Sequence, residues 1–435
     1  MRLPLPLSLV LGLGLLCSCA EEDPQVEKDS LVTVVKSPLA RDLDPDVTGE
    51  TLAQLTTDNA EFAWKLYHRL ADEEDATNNI IFSPYSVSTA LAMLYAGAAD
   101  QAKIDLAGAL NFQLEDERLH KSFNKLSLLM DSRNLPEDGD YSALTLNMTN
   151  TLWPSVGHIR GMSDQFLDVL AEHYDSEVYA MDYASDADAC RVEINDAIYQ
   201  WTNELVDNLI PPGELNMYTS FVITNTIYLK APWDEAFVDW GTSDGEFENI
   251  DGSLATVRMM RYSLDKPMRY SANEQVQALA IPYRGRDLEM VVLLPNVGEF
   301  QDFEAALTEE SVSQLIDQLD YTDGTVVLRM PKFSFDYGKS LIEILEGMGM
   351  NMGDDPDAYA LIDRGAEITG INHKAFIGVD EFGTESAAAT SVSGSSGSIP
   401  PVDVQFFVDR PFIFVIHDRP TGNLLFVGRV TTLVE

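Results

Sequence analysis

This 435-residue chain has only three cysteines, and two of them lie at its very start. Cys17 and Cys19 fall within the first 20 residues, so Cys190 is the one thiol of the remaining chain. No intramolecular disulfide is therefore available to the mature body, which must rely on its buried core for stability. We interpret Cys190 as a packed small side chain and not as a nucleophile.

Basic residues are also scarce. The chain has 28 Lys and Arg against 71 Asp and Glu, a formal net charge of -43. This balance disfavours nucleic acid and anionic membrane surfaces as partners. Because the acidic residues are spread along the chain, they are typical of proteins from salty habitats, or they serve solubility alone.

Motifs for metal or catalytic chemistry are few. The six histidines form no H-x-x-x-H pair, which leaves a zinc enzyme without support. The acidic run Asp354, Asp355 and Asp357 lacks the spacing of a calcium loop. Residues 241–245 match G-x-S-x-G, but their polar flanks do not resemble a buried strand and a helix. We predict no metal, no cofactor and no catalytic residue; a surface hydrolase would depend on Ser243 alone.

The first residues predict export. Residues 1–18 carry one Arg followed by an apolar stretch too short to span a membrane, as in a signal peptide. Leu16, Ser18 and Cys19 resemble a bacterial lipobox, which favours Cys19 as a lipidated first residue over an ordinary secretory signal. We predict an acidic tether over residues 19–50. The protein would be lipid-anchored at the outer membrane or cell surface, or secreted or periplasmic, and it would meet a membrane only through its anchor.

Hydrophobic patterning predicts an α+β fold in one body, residues 51–435, because no linker divides it. Helical spacing joins Phe62 to Leu70 and Leu341 to Met348, and Ser83 with Pro84 begins a helix that reaches Gly97. Another helix is predicted through Ile194, Ile198, Trp201, Leu205 and Leu209, ending before Pro211. Strand-like runs cover residues 144–152, 221–229, 276–281, 288–294, 325–330, 404–407, 412–416 and 424–430.

A long loop, residues 383–401, interrupts this pattern with the sequence GTESAAATSVSGSSGSIPP. Loops of this length inside a compact body are usually functional or disordered. Too few residues follow Pro401 for another domain, so the loop joins two parts of one sheet-rich body. In its first half the alternate positions carry small or β-branched uncharged side chains, so this segment could enter a sheet as a strand.

The run from Val379 to Thr390 resembles the hinge of the serpins, a family of protease inhibitors. The run from Phe407 to Phe412, followed by Leu425 to Val430, resembles their C-terminal signature. Further similarity lies at residues 79–86, 224–230 with Trp233, and 373–376, so the resemblance covers about residues 52 to 435. The chain resembles a serpin of a bacterial lipoprotein type.

This resemblance implies a multi-helix body with three β-sheets and an exposed reactive-centre loop at residues 383–401. It implies no enzyme activity of its own. A protease would cleave the loop as a substrate, form an acyl-enzyme and be trapped when the freed loop enters the main sheet as a new strand. The resemblance assigns the hinge to Glu381, Gly383, Thr384, Ser386, Ala388 and Thr390.

Two further groups follow from the resemblance alone. Ser83, Ser86, Asn225 and His373 correspond to a polar cluster beneath the sheet that opens, which we call the shutter cluster. At the top of the same sheet, Lys332 is the expected partner of Glu381, with Trp233 packed nearby; we call these three the breach.

By the same resemblance, the cleaved bond joins Gly397 to Ser398, and the bonds at Ser396 and Ser398 stay open as alternatives. A glycine before the bond and a loop without Lys or Arg favour an elastase-like or subtilisin-like serine endopeptidase over a trypsin-like one; a papain-like cysteine protease is also compatible. A monomer is expected. The alternative is a non-inhibitory serpin that acts as a binding or carrier protein.

Overall fold

The structure, a computed structural model, describes residues 31–139, 142–204, 206–262, 267–353, 355–384 and 402–434. Within these ranges, nine α-helices and eighteen β-strands form an α+β fold with three sheets, as predicted. The helices are α1 (Gly49–Glu73), α2 (Pro84–Tyr95), α3 (Asp100–Ala109), α4 (Asp116–Asp131), α5 (Asp164–Tyr174), α6 (Tyr183–Trp201), α7 (Phe300–Ala305), α8 (Glu309–Asp317) and α9 (Ile342–Gly347).

The main sheet, sheet A, has seven strands. Its order is β1 (Val32–Val35), β4 (Val178–Met181), β3 (Thr145–Pro154), β5 (Phe221–Pro232), β15 (Gly383–Thr384), β14 (Ile368–Val379) and β13 (Phe333–Ser340). Strands β5 and β14 also pair directly and in parallel over part of their length. The boundary between β5 and β14 is called the seam below.

Two further sheets complete the fold. Sheet B has the order β11 (Asp320–Tyr321), β8 (Arg269–Ala272), β9 (Val276–Pro282), β10 (Leu288–Pro295), β17 (Phe412–Asp418), β18 (Asn423–Val430) and β2 (Ile80–Phe82). Sheet C has the order β16 (Val402–Phe407), β12 (Thr325–Pro331), β7 (Leu254–Arg261) and β6 (Ser243–Glu248). Each of the eight strand-like runs of the sequence is confirmed as a strand, with its bounds shifted by at most a few residues.

The core lies between sheet B and the helices at the start of the chain. Strands β10, β17 and β18 are buried along their whole length, which explains their continuous apolar runs. Helices α1 and α2 pack against β18. Helix α2 begins as predicted, since Ser83 Oγ accepts a hydrogen bond from the Ser86 amide at 3.2 Å and Pro84 occupies the first helical position. In the part of the chain that the structure describes, no helix is long and apolar enough to cross a membrane.

The predicted tether is wrong for residues 31–50. Residues 32–35 form β1, which pairs with β4 at the edge of sheet A, and helix α1 already begins at Gly49. Pro45 between them is buried. A four-residue strand with two exposed side chains buries too little to show in the sequence pattern, and its partner lies more than a hundred residues away. Residues 1–30, including Cys19, lie outside the described residues.

The predicted helix through Leu209 ends early, at Trp201. The hydroxyl of Thr202 accepts a hydrogen bond from the Val206 amide at 3.1 Å, and Asn203 and Glu204 have φ of 53° and 68°. Such left-handed residues cannot continue a helix. Leu205 lies outside the described residues, and Leu209 is buried after the chain has left the helix.

Candidate functional site: the seam and hinge of the main sheet

The seam is closed over only half of its length. In its lower half, β14 and β5 pair in parallel from Ile368 opposite Phe221 to Lys374 opposite Thr226. Above this point, β5 pairs with β3 and β14 pairs with β13, while the two strands no longer pair with each other. The upper half therefore has two strand edges that face each other without a common ladder.

Strand β15, the first two residues of the predicted loop, lies between these edges at the top. Gly383 is opposite Pro232, and Thr384 is opposite both Ala231 of β5 and Val379 of β14. Thr384 is only 2% exposed, and its hydroxyl lies 2.7 Å from the hydroxyl of Tyr283. The expectation of a loop exposed from Gly383 onward is therefore wrong for its first two residues, which are strand residues of sheet A.

A tight turn delivers the chain to β15. One carboxylate oxygen of Asp380 accepts hydrogen bonds from the amides of Phe382 at 2.8 Å and Gly383 at 3.2 Å. The Asp380 amide in turn donates to the Gly383 carbonyl at 3.0 Å. Burial raises the pKa of Asp380 above its ordinary value, against these two amide bonds. The turn fixes the direction in which the hinge enters the seam.

Trp233, the residue directly after β5, supports this turn. Its indole N–H donates to the Asp380 carbonyl at 3.0 Å, and its amide donates to the Phe382 carbonyl at 2.9 Å. Its ring stacks on Tyr283, with centroids 4.5 Å apart and planes 9° apart. One aromatic pair thus contacts both the turn and, through the Tyr283 hydroxyl, Thr384.

Glu381 is the buried charge of the breach. Its side chain is 2% exposed, and its carboxylate accepts from Lys332 Nζ at 2.5 Å and from the Thr242 hydroxyl at 2.5 Å. Burial alone would raise the pKa of Glu381, but the hydrogen bonds from Lys332 and Thr242 outweigh it and lower the pKa below its ordinary value. The predicted pair of Lys332 and Glu381 is present, and Trp233 donates hydrogen bonds to the carbonyls on either side of Glu381.

Lys332→Met is expected to lower the stability of the native protein by about 2 kcal/mol, because it leaves a buried carboxylate with one hydroxyl as partner. This loss of free energy of unfolding is smaller than that expected for a fully buried ion pair, because the Lys332 side chain is 38% exposed. Lys36→Met is the control, since Lys36 pairs with Glu177 on the surface. Urea unfolding followed by tryptophan fluorescence measures both. Equal urea midpoints for Lys332→Met and Lys36→Met would show that Lys332 is not needed to stabilise the buried carboxylate of Glu381.

The four predicted residues of the shutter cluster are brought together across the closed half of the seam. Asn225 on β5 lies opposite His373 on β14, with its side-chain oxygen 2.5 Å from His373 Nδ1. The Asn225 amide nitrogen donates to Ser86 Oγ at 2.6 Å and also to the side-chain oxygen of Asn150. The amide of Ser83 donates to His373 Nε2 at 3.2 Å. Groups from three strands, β3, β5 and β14, and from the start of α2 therefore hold β5 against β14.

These partners assign the protonation of His373. Its Nε2 accepts from a backbone amide, so the ring hydrogen is on Nδ1 and is donated to Asn225. The side chain is 1% exposed, and burial lowers the pKa of His373 to about 3. The imidazole is neutral at physiological pH, and a proton on Nε2 would remove the acceptor that the Ser83 amide uses.

Three participants were not predicted. Tyr283 bonds Thr384, Thr242 bonds Glu381, and Asn150 joins the shutter cluster. Thr242 belongs to the motif at residues 241–245, whose match to a catalytic sequence is a chance one. Ser243 of that motif begins the exposed strand β6 and no helix follows it, so the hydrolase interpretation gains no support.

The later hinge residues, the cleaved bond and the lipidated cysteine lie outside the described residues: Ser386, Ala388, Thr390, Gly397, Ser398 and Cys19. Among the described residues, no group of three His, Cys, Asp or Glu side chains is arranged to hold a metal ion.

The fold and site define a class of α+β proteins with three sheets, in which a two-residue strand lies between the facing edges of β5 and β14 in the main sheet. A serpin (serine protease inhibitor) family profile matches residues 57–433. Human Serpin B3 is 30% identical, covering 87% of this chain and 99% of that protein. A serpin-like protein of Methanosarcina acetivorans is 30% identical over 97% of this chain and 96% of its own length.

A solved structure agrees. Human thyroxine-binding globulin superposes with a TM-score of 0.75 at 27% identity, covering 88% of this chain and all of that chain. This chain belongs to the serpin family. Because protease inhibitors and a thyroxine-binding protein share the fold, family membership leaves the two functional hypotheses to be decided by the site.

Proposed function

We propose that this serpin inhibits a serine endopeptidase by inserting its reactive-centre loop into sheet A after cleavage. The observation that carries this proposal is the position of β15, since Gly383 and Thr384 already lie between β5 and β14. Insertion would extend an existing strand and would not have to begin a new one. The turn at Asp380 directs the chain into the seam, which is the direction that insertion would follow.

The proposed trapping has three steps: acylation, insertion and displacement of the protease. The protease's nucleophile attacks the carbonyl of residue 397, forms an acyl-enzyme and releases the segment that begins at Ser398. The freed loop enters the seam as a continuation of Thr384. It fills the unpaired upper half first and then separates β5 from β14 in the paired lower half. Each new ladder hydrogen bond contributes about 1 kcal/mol net. Insertion of about 14 residues at roughly 3.3 Å per residue carries the bound protease about 46 Å.

The loop composition supports a target protease with a small or shallow first pocket. We place the cleaved bond between Gly397 and Ser398, with an elastase-like or subtilisin-like serine endopeptidase preferred over a trypsin-like one, and a papain-like cysteine protease as a second target class. Cys19 would anchor the protein by lipid at the outer membrane or cell surface. The partner is a protease, not nucleic acid, and no enzyme activity of the serpin itself is involved.

One observation favours the carrier alternative. A cavity of about 490 Å³ lies between α1, α8 and the hairpin of β17 and β18. Trp64 gives it an aromatic wall, and its charges are mixed, since Arg269 and Arg419 line it together with Glu309 and Asp317. A carrier would use this cavity and would need no loop insertion.

A thermal melt before and after limited cleavage by an elastase-like protease tests the proposal. An inserted loop should raise the melting temperature by tens of degrees, because the uncleaved native state is held only kinetically. The same protease should form an SDS-resistant complex with the serpin. Cleavage between residues 394 and 399 without any rise in melting temperature would move the carrier function to first place.

A further inference from the structure

The lower end of the seam, where β5 and β14 both begin, is bridged by two side chains in addition to the strand pairing. We propose that these two side chains, Ser220 and Thr369, form a clasp that must open before loop insertion is complete, and that His158 is the positioning residue of Ser220. The part of the clasp in insertion rests on the proposed function, because it concerns the last step of that reaction.

Thr369 makes the first bridge. The pairing of β14 with β5 skips Thr369, because Ile368 and Gly370 on either side of it are opposite consecutive residues of β5. The Thr369 hydroxyl oxygen accepts hydrogen bonds from the amides of Ser220 and Phe221, at 3.2 Å each, and donates to the Phe221 carbonyl at 3.1 Å. One side chain of β14 therefore makes three hydrogen bonds to the backbone at the start of β5.

Ser220, the residue directly before β5, makes the second bridge. Its hydroxyl oxygen accepts a hydrogen bond at 3.2 Å from the amide of Glu367, the residue directly before β14. Because β5 and β14 are neighbouring strands at this level, each of these hydrogen bonds joins one side of the seam directly to the other.

His158 orients the Ser220 hydroxyl. It lies in a short 3₁₀ helix (Val156–Gly161) after β3, and its side chain is 17% exposed. Its Nδ1 lies 2.9 Å from a carboxylate oxygen of Asp363, which can only accept, so Nδ1 carries the hydrogen of the neutral ring. Its Nε2, 2.8 Å from Ser220 Oγ, then accepts the hydroxyl hydrogen and leaves the lone pairs of the oxygen to the Glu367 amide. Asp363 thereby acts on the clasp through His158.

The order Ser220, His158, Asp363 is also that of a hydrolase triad. The amides of Ser220 and Phe221 both donate to Thr369 Oγ1, however, so neither is free to stabilise an oxyanion beside the serine. The arrangement is therefore suited to hold the Ser220 hydroxyl in place across the seam and not to activate it as a nucleophile.

An inserted loop would reach the clasp. Thr384 lies opposite Ala231 of β5 and Val379 of β14. Counted back along each strand, ten residues separate these two positions from Phe221 and Thr369. A strand that continues in this register is therefore level with the clasp ten residues beyond Thr384. Cleavage after residue 397 frees thirteen residues beyond Thr384, enough to pass this level.

A strand at that level separates the two sides of the clasp. Insertion moves β5 and β14 about 4.8 Å farther apart. Hydrogen bonds of 3.1–3.2 Å do not survive such a displacement. The bonds from Thr369 to Ser220 and Phe221 must then break, and the Phe221 amide becomes available to the inserted strand. Release of the clasp is thus the last barrier that the loop meets, after the shutter cluster.

Hydrogen–deuterium exchange of the Phe221 amide, in the full-length chain before and after cleavage by an elastase-like protease, tests the clasp. In the uncleaved protein, Thr369→Val should speed this exchange about fivefold, because valine keeps the shape of threonine but lacks the hydroxyl. After cleavage the inserted loop supplies the acceptor, so the amide should exchange as slowly in Thr369→Val as in the wild type. Thr56→Val is the control, since the Thr56 hydroxyl bonds the Ala53 carbonyl within α1, and it should match the wild type in both forms.

A second set of variants tests His158 through its partner. Asp363→Ala should speed exchange of the Glu367 amide in the uncleaved protein about fivefold. Asp363→Asn keeps an acceptor for the His158 Nδ1 hydrogen and should retain the wild-type rate. Asp357→Ala is the control in the same turn, because the Asp357 carboxylate bonds Arg364. Equal rates in Asp363→Ala and Asp357→Ala would overturn the positioning role of His158.

The melting temperature separates this proposal from the inhibitor proposal. If cleavage raises it but the Phe221 amide of Thr369→Val still exchanges fast, insertion stops above the clasp and the clasp proposal alone is wrong. An unchanged Phe221 rate in uncleaved Thr369→Val would also overturn the clasp. If cleavage leaves the melting temperature of the wild type unchanged, insertion itself does not occur, and the inhibitor proposal fails together with any part of the clasp in it.

Discussion

Thr384→Arg is expected to abolish protease trapping while the loop is still cleaved. The Thr384 side chain is buried between β5 and β14 and bonds the Tyr283 hydroxyl. A guanidinium there would lose its hydration without gaining a carboxylate, at a cost of several kcal/mol. The arginine side chain would therefore stay out of the sheet both before and after cleavage, the loop would have no β15 to extend, and water would hydrolyse the acyl-enzyme ester before the loop inserts. We expect at least a tenfold smaller yield of SDS-resistant complex, and cleaved protein that lacks the rise in melting temperature.

Thr384→Ser is the matched control, since it keeps a small side chain and the hydroxyl that Tyr283 binds. It should trap protease as the wild type does. Tyr283→Phe removes only the other half of this hydrogen bond and should cost about 1 kcal/mol. Trapping by Thr384→Arg at the wild-type yield would mean that insertion does not pass through the position of β15, and the proposed route would be wrong.

Local rules in the sequence were enough for β5 and for the strands of sheet B, but they predicted no strand at β14, the other side of the seam. Ser83 before Pro84 marks the start of α2, and the apolar runs mark β5, β10 and β17. The pairing of Asn225 with His373 could not come from such rules, because it joins residues 148 positions apart. It was expected only through the resemblance of the two short segments to a known family.

The features that were missed are non-local or small. Tyr283 and Thr384 are 101 positions apart, and Thr242 and Glu381 are 139 apart, so no local pattern links them. Strand β1 offers four residues with half of them exposed. The early end of α6 depends on the left-handed conformations of Asn203 and Glu204, which apolar spacing does not encode. Sequence periodicity records burial, and these features depend on pairing and backbone conformation.

Acid is expected to destabilise the native protein through its buried histidines. Burial lowers the pKa of both His373 and His120 to about 3, whereas an unfolded histidine titrates near pH 6.5. Between these values the unfolded chain binds more protons than the native one, so stability falls as the pH is lowered through 6.5. From pH 7 to pH 5 the loss is roughly 2 kcal/mol per histidine.

Of these two histidines, only His373 lies at the seam. Variants of the two therefore distinguish global unfolding in acid from opening of the seam in acid. His373→Gln keeps a donor for Asn225 and an acceptor for the Ser83 amide but cannot take a proton. His120→Gln removes an equally acid-sensitive group, which contacts Tyr174 between α4 and α5. Both variants should unfold in urea with a smaller change between pH 7 and pH 5 than the wild type shows.

The two variants should differ in hydrogen exchange at the closed half of the seam. In the wild type, a proton on His373 Nε2 removes the hydrogen bond from the Ser83 amide and places a charge beneath the sheet. Exchange at residues 222–226 and 370–374 should therefore rise about tenfold or more from pH 7 to pH 5, after correction for intrinsic exchange rates. His120→Gln should retain this rise, and His373→Gln should suppress it. An equal rise in both would mean that acid opens the seam through groups other than the shutter cluster, and that Asn225, Ser83 and His373 merely fill the space beneath it.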